Sequence, residues 1–113
     1  DFTVTSPSMD TASPPTLSSD ILTVSWSAVG GDDVIVEFLF VDLDEEIVTD
    51  GTFCTASGSS VTIDIADFDA ANAEYVDINV RRVRTFSGSL GGSAGGTARM
   101  ASVLSKRGVA FLP

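Results

Sequence analysis

The residues able to do chemistry in this chain are almost all carboxylates. There are 16 Asp and Glu, one cysteine and no histidine, with 6 Lys and Arg and a formal net charge of -10. Without an imidazole, the Ser-His and Cys-His nucleophile pairs and the usual zinc ligand sets are excluded. Asp42, Asp44 and Glu46 alternate and so can aim carboxylates the same way, as a calcium ion with its six to eight oxygen ligands requires. Asp64, Asp67 and Asp69 form a second acidic group about a corner. Neither group carries the glycine and terminal glutamate of an EF-hand loop, so a solvated turn competes with a calcium site at both. A carboxylate pair for glycoside hydrolysis is disfavoured by size, since 113 residues leave little material for a cleft. Cys54 cannot form an internal disulfide and reads as a small core residue. The expectation is therefore a non-enzymatic chain with no cofactor, calcium at Asp42, Asp44 and Glu46 being the one exception to test.

The elements that must carry these residues are strands. Leu22, Val24 and Trp26 recur at period two with Thr23 and Ser25 between them, which places the single tryptophan on a buried strand face rather than on an exposed sugar-stacking platform. Val34 to Val41 is apolar on both sides, with Val34, Val36, Phe38 and Phe40 on one face and Ile35, Leu39 and Val41 with Glu37 on the other, as in a central strand. Val61, Ile63 and Ile65 alternate with Thr62 and Asp64. Tyr75 to Phe86 is a further strand with Val76, Ile78 and Val80 inward, and Arg81-Arg82 predicts a bulge that returns Val83 to the core.

The remaining segments are shorter. Phe2 to Thr5 forms a first edge strand stopped by Pro7, and the Pro-, Ser- and Thr-rich stretch 6–19 is an extended connection. Gly30 to Asp33 is a turn; Ile47-Val48 and Phe53 to Thr55 are short strands about a turn at Asp50-Gly51; Asp67 to Glu74 is one helical turn at a corner. The glycine-rich stretch 87–96 is a hairpin loop, Thr97 to Leu104 a strand, Ser105 to Gly108 a kink, and Val109 to Leu112 a last strand end. Seven to eight short antiparallel strands spaced by turn residues predict an all-β sandwich with Greek-key connections, in one domain spanning 1–113.

At Leu22 to Trp26 the sequence resembles the second strand of fibronectin type III domains, L-x-V-x-W, and the turn at Gly30 to Asp33 with the strand Val34 to Val41 continues the likeness. Tyr75 falls near that family's tyrosine corner; Asp77 and Asn79 share its face, which assigns the packing role to Phe68 or Val76. The chain is also similar to the Ig-like modules of exported bacterial surface proteins, through Phe53-Cys54, Gly58, Val61 to Ile65 and Val76 to Val83. The resemblance implies an Ig-like, fibronectin III-like fold and an extracellular structural or adhesive role with no catalytic residues.

Charge order refines the partner. Every acidic residue lies between Asp1 and Asp77, and every basic one from Arg81 onward. An acidic chain of this kind is unsuited to nucleic acid or an anionic membrane. Its polarity fits either cross-strand pairing within one sheet or head-to-tail association of copies. Arg99, Lys106, Arg107, Val109 and Phe111, after the glycine-rich stretch, are the candidate self-association residues, by strand exchange or by charge. The partners expected are proteins, copies of the same chain among them. A carbohydrate-binding module is the further alternative, with Phe86 as its aromatic. The Ser, Thr, Gly, Asp and Val bias with scarce lysine predicts a secreted or surface bacterial protein whose signal segment is not in this chain and which does not insert into the membrane.

Overall fold

The computed structural model describes residues 3–27, 33–55, 58–89 and 97–113, the side chains of 85–89 and 97–102 excepted. Seven strands, β1 (Val4–Ser6), β2 (Ile21–Trp26), β3 (Asp33–Val41), β4 (Ile47–Thr55), β5 (Ser60–Asp64), β6 (Tyr75–Ser89) and β7 (Thr97–Phe111), form two antiparallel sheets. Their orders are β1-β2-β5 and β4-β3-β6-β7. The chain crosses between the sheets at β2 to β3, at β4 to β5 and at β5 to β6, so β2 lies beside β5 and β3 beside β6.

Period-two alternation builds the core between the sheets. Leu22, Val24 and Trp26 of β2 and Ile63 of β5 pack against Val34, Val36, Phe38 and Phe40 of β3, Val76, Ile78 and Val80 of β6, and Ala110 of β7. The two-faced reading of Val34 to Val41 holds, since the even-numbered residues are fully buried and Ile35, Glu37 and Leu39 are half-buried on the outer face. Trp26 is core, only 3% exposed. The corner after β5 is a 3₁₀ turn, Ile65–Asp67, capped by Asp64 Oδ1 accepting from the Ala66 amide. It starts two residues before the predicted helical turn.

Three predicted interruptions are absent. β4 runs unbroken through Asp50 and Gly51, because that dipeptide is a ladder position opposite Leu39 and Phe38. Gly51 serves packing instead: a Cβ there would lie 2.7 Å from Cε1 of Phe68, whose ring packs on Phe40 at a centroid distance of 5.1 Å. β6 has no bulge at Arg81-Arg82. Its pairing with β3 and β7 keeps strict register, so Arg82 is buried on the inner face and Val83 turns outward. β7 has no kink at Gly108, where the missing side chain makes room for Met9, whose Cα would be 2.9 Å from a Cβ at that position. Long antiparallel ladders enforce alternation more strongly than single residues of poor strand propensity disturb it.

β6 and β7 outrun their neighbours. β3 pairs with β6 only as far as Asp33 opposite Val83, while β6 and β7 continue from Arg84 opposite Ser102 to Ser89 opposite Thr97. At a strand rise of roughly 3.4 Å per residue, this two-stranded arm is about 20 Å long. The molecule measures 59 × 27 × 27 Å.

Candidate functional site

The acidic turn, the outer face of the four-stranded sheet and that sheet's two edges gather the residues singled out by sequence. In the turn between β3 and β4, Asp42 Oδ1 accepts from the amides of Asp44 at 2.9 Å and Glu46 at 3.0 Å, while the Asp42 amide donates to the Glu46 carbonyl. Glu45 takes a left-handed φ of 61° to close the turn. One of the three proposed calcium-ligating carboxylates is thus occupied in holding its own loop, an Asx arrangement common in turns. Asp44 and Glu46 are exposed beside it. Among the described residues, no three His, Cys, Asp or Glu side chains are grouped so as to hold a metal ion.

The outer face of β3, β6 and β7 is polar where the inner face is not. Tyr75, Asp77, Asn79 and Arg81 alternate with Val76, Ile78 and Val80, and the register sets Asp77 beside Val109 and Asn79 beside Arg107. Arg107 reaches diagonally to Asp77. Its Nε donates to Oδ1 at 2.9 Å and to Oδ2 at 3.1 Å, and its Nη2 pairs with Oδ2. The Asp77 side chain is 9% exposed and that of Arg107 69%. The hydrogen bond to Asp77, and then its charge, raise the Arg107 pKa further above its ordinary value, partly opposed by desolvation. Beside the pair, Asn79 Oδ1 and Arg81 Nε are buried without a hydrogen-bond partner, as is Trp26 Nε1 in the core. Sequence reading missed these two outer-face groups; their signal was the Asp-x-Asn-x-Arg series on the face opposite the valines.

The self-association candidates are all on β7, which is resident in its own sheet and paired with β6 over its full length. Lys106 is exposed on the core side beside Val80, Val109 is half-buried beside Asp77, and Phe111 is 45% exposed. The backbone of Arg99 lies opposite Ser87; its side chain, like that of Phe86, lies outside the described residues. The predicted turn at Gly30 to Asp33 also lies outside them, apart from Asp33, which begins β3. At Phe111 the edge of β7 is already taken: its amide donates to the Pro15 carbonyl at 2.9 Å and its carbonyl accepts from the Leu17 amide at 2.8 Å. This parallel bridge, at Thr16, was not legible in a stretch read only as connection.

Cys54 is exposed, not core. Phe53 takes the inner side of β4, edge-on to Phe38 at 5.8 Å, so its neighbour must face out, opposite Ile35. A shallow hollow of about 320 Å³ lies at the corner under Ile65, Phe68 and Leu112; Asp20 is its one acidic side chain. Among the described residues, no helix is long and apolar enough to cross a membrane. No protein-family model, curated protein or solved structure matches the chain.

Proposed function

We propose that this chain is a non-catalytic structural or adhesive module of Ig-like, fibronectin III-like Greek-key build, displayed outside a bacterial cell and working through protein partners. The interlocked connectivity, with β2 beside β5 and β3 beside β6 across the two sheets, supports the Ig-like reading. The observation that carries the adhesive role is the β6–β7 arm. Six register pairs of hairpin, Arg84/Ser102 to Ser89/Thr97, extend past the last pairing with β3, as a two-stranded ribbon beyond the four-stranded sheet. Isolated two-stranded ribbons are marginal in water, so a ribbon projecting from a well-packed body adds little to its stability and much to its contact surface.

The test is to replace residues 85–101 by a two-residue Asn-Gly turn and compare the labelled proteins on envelope preparations of the producing cell. Saturable binding by the wild type, lost in the shortened variant with melting unchanged within a few degrees, is the expected result. Undiminished binding by the shortened variant, or no binding by the wild type, overturns the adhesive reading. A second reading, a subunit of a surface filament, is favoured by the placing of opposite charges on opposite edges of one sheet.

A further inference from the structure

We propose that β4 of one molecule pairs with β7 of the next, joining four-stranded sheets edge to edge into a head-to-tail assembly of this chain. The inference deepens the filament reading and rests on it.

Backbone direction supplies the first argument. The Val41 carbonyl accepts from the Glu74 amide at the β6 side, so odd-numbered β3 residues bond toward β6 and even-numbered ones toward β4. Gly51 and Phe53, opposite Phe38 and Val36, therefore bond inward, and Asp50, Thr52 and Cys54 point their amides and carbonyls away from the sheet. On β7 the Phe111 amide and carbonyl face residues 15–17, away from β6, which sets Val103, Ser105, Arg107 and Val109 outward as well. Among the described residues, each edge thus presents a row of unpaired backbone groups without a proline, and the one register shift, at Val48 of β4, lies before the stretch from Asp50 to Cys54 that would pair. The bridge at Thr16 closes the β7 edge at Phe111 and so limits a neighbour to the stretch above it.

Direction and charge then select the partner. Four strands alternating in direction leave β4 and β7 antiparallel, so a copy displaced sideways without rotation meets the edge with strands correctly opposed. The β4 edge carries Asp50 and follows the turn with Asp42, Asp44, Glu45 and Glu46; the β7 edge carries Lys106 and Arg107. Pairing β4 with β4, or β7 with β7, sets like charges together, whereas β4 with β7 sets opposite ones. A heterologous contact of this kind propagates, because each added copy exposes a fresh edge.

Two blocking variants test it. Proline is tolerated where an edge amide points outward, so Thr52→Pro removes the β4 edge and Ser105→Pro the β7 edge without costing a bond within the sheet. Light scattering should show wild-type mass rising with protein concentration above 11.7 kDa and falling back with salt, each variant alone holding at 11.7 kDa, and an equimolar mixture reaching twice that mass and no more. Asp50→Lys and Ser105→Glu serve if a proline variant fails to fold: each alone should weaken assembly at least tenfold, and the double variant should restore it. A wild type that stays monomeric overturns the proposal, as does assembly by either proline variant alone, which would mark a two-fold contact through its intact edge. Monomeric wild type that still binds envelopes through the arm would sink edge pairing and leave the adhesive module standing.

Discussion

The two faces of the four-stranded sheet are made from the same strands and held by different physics. On the inner face Val34, Val36, Phe38, Phe40, Val76, Ile78 and Val80 are sealed from water. One residue along, the outer face holds Ile35, Glu37, Leu39, Asp77, Asn79 and Arg81 in half-buried or buried positions with no second sheet above them among the described residues. The inner face is stabilised by area removed from water, which needs only apolar residues at period two. The outer face depends on particular partners, Arg107 on Asp77 above all. The first kind of order tolerates exchange of one apolar side chain for another of like volume; the second does not.

The largest expected effect lies on the inner face. Phe38 is fully buried, central in β3, and edge-on to Phe53. Phe38→Ala should lower unfolding free energy by roughly 3–5 kcal/mol in denaturant titrations, or prevent folding outright. A loss under about 1 kcal/mol would mean that the core repacks freely and that the contrast between the faces is false.

An intermediate effect is expected on the outer face. Arg107→Met keeps much of the aliphatic stem but leaves the Asp77 carboxylate, 7% exposed as a residue, without its cation. The expected loss is about 1–3 kcal/mol, most of it recovered when Asp77→Asn is added, since an amide is cheaper to bury than an unpaired carboxylate. The pair itself gives no pH signal in the working range. A raised Arg107 pKa stabilises fully below the ordinary arginine value and is lost only as pH climbs through the raised one, so stability between pH 6 and 9 should not follow this pair. Equal losses in the single and double variants would show that the stem, not the charge, was being measured.

Period two made the inner face readable. Leu22, Val24 and Trp26, the even residues from Val34 to Phe40, and Val76, Ile78 and Val80 were all placed from alternation alone, and all are core. What alternation could not show was continuity. Asp50-Gly51, Arg81-Arg82 and Gly108 each look like breaks in isolation, yet each is spanned by a ladder whose partner residue lies 11 to 48 positions away in sequence, from Asp50 opposite Leu39 to Arg82 opposite Val34. Propensity is local and register is not. The candidate site was legible in outline only. The order of charges along the chain was plain, but that it puts Asp50 on one edge of a sheet and Lys106 and Arg107 on the other follows from β4 and β7 being its outermost strands, which no single segment encodes.

The smallest effect separates the faces at one residue. Cys54 and Phe53 are neighbours in β4, and the strand can turn only one of them inward; a phenyl ring edge-on to Phe38, though still 38% exposed, outweighs a thiol in apolar area, so the cysteine faces out. Cys54→Ser should therefore change stability by less than about 0.5 kcal/mol, as exposed positions usually do. The native thiol should react with a disulfide reagent such as DTNB within a few-fold of its rate in the denatured chain. A native rate slower by a hundredfold or more, with a Ser variant destabilised by over 1 kcal/mol, would put Cys54 inside and reverse the facing of β4. Protection that appears only as protein concentration rises has a different meaning: it would show the β4 edge covered by a second molecule while the facing stands.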